Sequence, residues 1–273
     1  MGTIRALLES GIKPPSAIIG ASVGALDGAV IAAAPDLKGA TSLQQLWLSQ
    51  PASDVFHIHP LGAILSQFIG RRGPLSPAPV KKLIESFETA SGCTTFEDLR
   101  LPLLVVATDL DRGRPAVFRS GPLAPALLAT TAIPGLFPPV RIGARDYSDG
   151  GVVDNVPIAL AVREGYRRIL AVGLMAGAEL RDSPSSWSRV VARTLQLTLH
   201  QRLLSDFERL RRQARIVIIC PVTAPQAAWD MNRSHVESLI ERALQATPSL
   251  LAPERRAIVD RTAIHYIDLK EHA

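Results

Sequence analysis

The chain has 273 residues, 47% of them hydrophobic and 20% charged, with a formal net charge of +5 at pH 7 and two cysteines. This apolar content excludes an intrinsically disordered chain and suffices for one large core or two small ones. The positive balance is mostly arginine spread along the chain, which gives no basic patch for nucleic acid and leaves only a weak attraction to anionic lipid surfaces.

Cys93 and Cys220 lie far apart in no metal-ligand spacing and fit structural thiols in a reducing compartment. No run approaches the ~18 to 20 apolar residues of a membrane span, and no basic segment with an apolar core and cleavage site opens the sequence. The expectation is a single domain over residues 1–273, cytoplasmic and at most peripheral at a membrane.

Thr3 to Ser10 sets Ile4, Leu7 and Leu8 on one helical face, with Gly11 as the cap that follows. Lys13-Pro14-Pro15 breaks that helix, Ser16 to Gly20 reads as a short buried strand, and Val23 to Ala34 as a helix that Pro35 ends. Residues 36 to 100 give helical patches and loops, with turn chemistry at Gly70 to Pro79 and a basic pair at Arg71 and Arg72. Leu103 to Ala107 is a predicted strand and Pro122 to Thr131 a short helix, leading into a stretch that Pro134, Pro138 and Pro139 stiffen.

Val140 to Ile142 and Asp146 to Ser148 read as the arms of a hairpin that runs into Asp149-Gly150-Gly151. Pro157 to Glu164 is a helix with proline at its first position and Gly165 past its end. Ile169 to Leu174 follows as a buried strand, then Trp187 to Arg215 as a long helix with Val191, Leu195, Leu199, Leu203 and Phe207 four residues apart. Arg215 to Cys220, Ser234 to Gln245 and Ala263 to Leu269 complete a strand, a helix and a last strand. This alternation predicts the α/β class: three layers, α/β/α, around a mainly parallel central sheet covered on both faces.

Gly20-x-Ser22-x-Gly24 between a strand and a helix has the context of a nucleophile elbow, with glycines where chain segments crowd the serine. Ser22 then stands at a helix N-terminus, where the dipole and the amide of Val23 favour negative charge on a substrate oxygen. The plain structural reading makes Ser22 a helix cap. A serine hydroxyl needs a base. His200, His235, His265 and His272 come late enough in the chain for a triad, but none sits in a glycine-flanked loop after a strand; a triad using His265 is the third and weaker reading. Asp149 before its two glycines is the other candidate, because a desolvated carboxylate has a raised pKa and becomes a usable base. Its plain reading is a turn aspartate bonding its own backbone.

These residues carry a resemblance. "GASVGAL" resembles the G-x-S-x-G elbow of the patatin-like phospholipases, "TTAIPGLFPPV" their proline-bearing loop, and "YSDGGVVDNVPIALA" their D-G-G/A segment with its following N-x-P, in the family's order. "TFEDLRLPLLVVATDLDRGRPAVF" between them is similar too, so the resemblance covers about residues 3 to 175 and thins over 176–273. It implies a patatin-like fold and a Ser22–Asp149 dyad without histidine. It further implies hydrolysis of a lipid or acyl-ester substrate, of the phospholipase A or lysophospholipase kind, through an acyl-serine, with neither metal nor cofactor. By the same resemblance Gly150, Gly151, Asp154, Asn155 and Pro157 shape the turn after Asp149, and the loop around Phe137 walls the acyl site. Residues 50 to 100 are expected to cap substrate access.

Family members carry a glycine-rich, arginine-bearing loop just ahead of the first helix, whose amides complete the oxyanion hole. None precedes Thr3 here, and the expectation is a start codon assigned too late or a truncated reading frame. Loss of one oxyanion donor costs a factor of about 10² to 10³ in turnover. The alternative function is therefore a catalytically silent lipid-binding or regulatory protein that keeps the pocket. His57 and His59 share one face of a strand without further ligands near them, so no metal site is expected. Asp27, in the second turn of the elbow helix, is expected to be structural, and Asn232-Arg233-Ser234 matches a glycosylation acceptor that means little without a secretory signal.

Overall fold

A computed structural model describes residues 1–55, 75–173, 175–176, 187–223, 232–251 and 262–268. His57, His59, Arg71, Arg72 and His272 lie outside the described residues. Helix α1 (Gly2–Glu9) buries Ala6 and Leu7 and gives way to Gly11 in the left-handed region. Strand β1 (Ile18–Ala21) passes through Ser22 into α2 (Val23–Ala33), whose small residues Ala25, Gly28, Ala29 and Ala32 are buried and let the helix lie close on the strands. Asp36 caps α3 (Leu37–Trp47) by accepting from the amides of Lys38 and Gly39. The Trp47 indole donates to Asp27 at 2.7 Å and ties α3 to α2, the structural role expected of Asp27.

After the short α4 (Gln50–Ser53), helix α5 (Ala78–Ser91) buries Val80, Leu83, Ile84 and Phe87 in the same core cluster as Leu26, Val30 and Leu127. The described part of the expected cap is thus core.

Strand β2 (Leu103–Asp109) is buried at every position and continues through a turn into β3 (Arg114–Phe118). Helix α6 (Leu123–Thr130) is followed by the β4 (Val140–Ile142) and β5 (Arg145–Ser148) hairpin, then by the short helices α7 (Gly151–Asp154) and α8 (Ile158–Arg163). The remaining elements are β6 (Arg168–Val172), β7 (Met175–Ala176), α9 (Trp187–Leu210), β8 (Arg215–Thr223), α10 (Arg233–Leu251) and β9 (Ala263–Asp268). Helix α1 packs on α10.

The α/β class holds, although one of the sheets is mixed and not purely parallel. Among the described residues there are two sheets. The first is mixed: β1 runs parallel to β2, whereas β3 and β5 pair with β2, and β4 with β5, antiparallel. The second is parallel throughout, with β8 paired to β6, β7 and β9. The missed element is β3; the turn signal Asp111-Arg112-Gly113 between two apolar runs marks it. Strand β6 is not buried as expected: Leu170 and Val172 are exposed and only alternate residues are partly covered, a period of two that its apolar run conceals. The centres of the sheets are dry. Val105, Val106, Ile216 and Ile218 are fully buried, each contributing roughly 1.5 to 3 kcal/mol by leaving water.

One consequence of the register positions the site. Residues 105 and 106 of β2 pair with both β1 and β3, which therefore flank it on opposite sides, and residues 108 and 109 pair with both β3 and β5. Strand β5 is therefore on the same side of β2 as β1. With Ala21 opposite Val106 and Ser148 opposite Thr108, the two strands point head-on at each other along one edge. The residues that leave their ends are Ser22 and Asp149.

Candidate active site

The Ser22 hydroxyl donates to Asp149 Oδ2 at 2.6 Å, across 127 positions of sequence. Ser22 has φ +53° and ψ −132°, the one non-glycine residue with positive φ among those described, and makes no side-chain capping bond to α2. The capping reading of Ser22 is therefore not realised. A backbone in this sparsely populated region costs of order 1 to 3 kcal/mol and persists only where its surroundings fix it. The fixing group is Thr130, fully buried at the end of α6. Its hydroxyl accepts the Ser22 N–H at 2.8 Å and donates to the Val106 carbonyl.

The same end of α6 holds the carboxylate segment. The Asp149 amide donates to the Ala132 carbonyl at 2.9 Å and the Gly150 amide to the Thr130 carbonyl at 3.3 Å, while the Thr108 hydroxyl donates to the Asp149 carbonyl at 2.7 Å. Thr130 and Thr108 are residues that sequence reading does not single out. Polar residues buried in an apolar strand and at the last turn of an apolar helix were the available signal, since such groups need partners.

Thr130→Val is expected to lower the unfolding free energy by at least about 2 kcal/mol, because it strands the Ser22 amide. Thr130→Ser keeps both hydrogen bonds and loses one methyl group, about 1 kcal/mol. Urea unfolding of the two variants checks this ranking.

Asp149 is buried, with 5% of its surface exposed. Its Oδ1 accepts the Gly151 amide at 2.7 Å, so the turn role and the contact with Ser22 are both realised, one on each carboxylate oxygen. Burial raises the carboxyl from its usual 3.8 to about 6, against the opposing pull of the bonds from Ser22 and Gly151.

The glycines around the site are not equivalent. A methyl group on Gly150 would run into the Val106 carbonyl, and one on Gly20 would lie 2.5 Å from the Gly24 carbonyl oxygen. Gly24 itself faces open space, so crowding explains Gly20 but not Gly24. Asn155 stands beside Gly151, its Oδ1 3.1 Å from where a β-carbon there would be. Asp154 is buried and raised to about 6 by its burial, with Arg202 of α9 pulling it down and Asp206 pushing it up. Pro157 is buried at the start of α8. Among the described residues the amides of Val23 and Gly24, at the first turn of α2, have no hydrogen-bond acceptor.

Phe137 is buried, with 4% exposure, in the main cluster beside a gap of about 10 Å³ whose lining includes Leu128, Thr131 and Ala132, the last being the residue that accepts the Asp149 amide. His265 is on β9 opposite Ile219 in the second sheet, whereas Ser22 leaves the first. His200 and His235 are on α9 and α10, and among the described residues no histidine touches Ser22. Among the described residues no group of three or more His, Cys, Asp or Glu side chains could hold a metal, and no helix is long and apolar enough to cross a membrane.

A sequence model described as patatin-like phospholipase matches residues 1–162, more than half the chain and all of the elements just described around Ser22 and Asp149. The chain belongs to the patatin-like phospholipase family. This patatin-like chain is 32% identical over 162 residues to an uncharacterized NTE family protein of Mycobacterium tuberculosis, covering 58% of the chain and 40% of that protein. It is 29% identical over 198 residues to a patatin-like phospholipase domain-containing protein of Caenorhabditis elegans, covering 69% of the chain and 14% of the relative. It is 28% identical over 180 residues to a lysophospholipase of Mycosarcoma maydis, covering 63% of the chain and 9% of the relative. The patatin-like chain thus spans less than half the length of each of these relatives.

Proposed function

We propose that this chain hydrolyses an acyl ester of a lipid, of the phospholipase A or lysophospholipase kind, through the pair Ser22 and Asp149. The observation that carries the reading is the 2.6 Å hydrogen bond from the Ser22 hydroxyl to a buried carboxylate raised to about 6. A hydroxyl is too weak an acid to attack unaided at neutral pH, and a desolvated carboxylate is a stronger base than an exposed one.

In this mechanism Asp149 Oδ2 takes the proton as Ser22 Oγ forms a bond to the ester carbonyl carbon. The negative charge moves to the carbonyl oxygen, which the unpartnered amides of Val23 and Gly24 at the α2 N-terminus stabilise. Collapse breaks the carbon–oxygen bond to the leaving alcohol, which takes the proton from Asp149. Water then gives a proton to Asp149 as its oxygen bonds to the acyl carbon, and collapse breaks the bond to Ser22 Oγ, which takes that proton back from Asp149, releasing the carboxylic acid and restoring the Ser22 hydroxyl and the ionised carboxylate.

A fluorophosphonate probe tests the reading on the intact chain. Covalent labelling at Ser22, together with hydrolysis of a short-chain aryl ester, is the expected result. A protein that binds lysolipid yet is not labelled has no working nucleophile and is the silent alternative.

The carboxyl value sets the pH dependence. Only ionised Asp149 accepts the proton, so kcat/KM should rise with a single ionisation near pH 6 and level off above about pH 7. A pH–rate profile with no inflection between about 5 and 7 contradicts this assignment of the base.

A further inference from the structure

Apart from the dyad, the open end of the first sheet carries a cleft of about 350 Å³ whose lining includes Arg112, Arg114, Arg145 and Arg163 and a single carboxylate, Asp109. The β2–β3 turn, the start of β5 and the end of α8 each supply part of it.

Asp109 organises this cleft from beneath. It is buried, with 2% exposure, and its Oδ1 accepts the amides of Asp111 and Arg112 at 3.1 and 3.0 Å, which fixes the turn. Its Oδ2 faces Arg145 Nη1 at 3.5 Å. Arg163 also lies in the field of Asp154 and Glu164, which leaves Arg112 and Arg114 as the guanidinium groups of the cleft without a carboxylate partner among the described residues.

The nearby acids are engaged elsewhere. Glu164 forms a two-bond pair with Arg119 at 2.8 and 3.0 Å, Asp146 pairs with Arg141 at 3.2 Å, and Asp111 accepts the Asp146 amide at 3.1 Å. Asp154 feels Arg163 but is itself buried beside Arg202. Among the described residues the exposed Arg112 and Arg114 have no ion-pair partner. Several planar guanidinium groups around one cleft repel each other and match the oxygens of a tetrahedral anion, which arginine binds with two parallel bonds.

We infer that this cleft binds a phosphate group of the monoester type, either free in solution or carried on a lipid headgroup. The inference does not depend on the dyad. Arg112 and Arg114 are the recognising residues because they are exposed and unpaired; Arg145 is held by Asp109 and is left intact in the test.

Isothermal titration of the full chain with inorganic phosphate at fixed ionic strength, where screening is constant, is expected to show saturable binding with Kd on the order of 1 mM. The double variant R112Q/R114Q should bind at least about ten times more weakly with an unchanged far-UV spectrum, and Ser22→Ala should bind as the wild type does. Flotation with phosphatidylcholine vesicles, with and without phosphatidic acid, separates the sources. Retention on phosphatidic acid vesicles that inorganic phosphate displaces and R112Q/R114Q loses identifies the lipid-borne group. Phosphate binding without vesicle retention identifies the free one. No saturable phosphate binding by the wild type, or equal binding by R112Q/R114Q, overturns the inference and leaves a solvated arginine face. Fluorophosphonate labelling of Ser22 is read separately, so failure here and failure of the hydrolase reading are distinguishable.

Discussion

Asp149→Asn is expected to lower turnover of a short-chain aryl ester by at least about 10³ and, above pH 6, to make the protein more stable. Both effects come from one cause. In the proposed mechanism the carboxylate serves as a base because burial raises it, and the same burial means that desolvating the charge costs folding free energy.

The direction with pH follows from proton binding. The folded carboxyl titrates at about 6 and the unfolded one near 3.8, so between these values the folded state binds more protons. Stability therefore falls as pH rises through that window, and the loss is complete above about 6. The interval corresponds to at most about 3 kcal/mol. An asparagine keeps an oxygen for the Gly151 amide and an amide group for Ser22, without the charge. Urea unfolding at pH 8 should thus show Asp149→Asn more stable by about 1 to 3 kcal/mol, with the difference gone below about pH 4. An asparagine variant that turns over substrate at the wild-type rate removes Asp149 as the base, and one that is less stable at pH 8 removes the burial argument.

Ser22 gives the second large effect. Ser22→Ala and Ser22→Gly should both abolish turnover, since neither has an oxygen to acylate, by a factor of the order of 10⁴ or more. They should differ in stability. At φ +53° and ψ −132° any β-carbon is strained, and glycine is not. Ser22→Gly is therefore expected to be about 1 kcal/mol more stable than Ser22→Ala, even after the greater freedom of glycine in the unfolded chain. Chemical denaturation of the pair checks the elbow strain without any assay of activity. Equal stabilities, or a more stable alanine variant, would mean that the backbone at Ser22 is relaxed.

Ser22, Asp149 and the glycines beside them could be read from the sequence because their signals are local. A serine between small residues, after an apolar run and before a helix, and an aspartate before two glycines at the end of a hairpin are dictated by steric needs within a few residues. The presence of α1, β1, α2, the hairpin and α8, with limits within one or two residues, followed from periodicity and turn chemistry for the same reason. Gly20 was legible as a close approach, whereas Gly24, four residues later in the same motif, faces open space.

What tertiary structure alone decided is the meeting of these parts. No spacing rule says that β5 lies on the same edge of β2 as β1, or that the two strands end two residue positions apart along it, opposite Val106 and Thr108, with β3 on the other edge. Likewise, Thr130 reaches Ser22 across 108 positions only because α6 ends over that junction. The stripe of α5 could be seen as helical but not assigned to the core, because burial depends on partners far away in sequence. Local sequence encodes conformation through sterics and hydrogen bonds between near neighbours, while proton sharing between Ser22 and Asp149 depends on long-range strand pairing, which is set by the packing of the whole sheet.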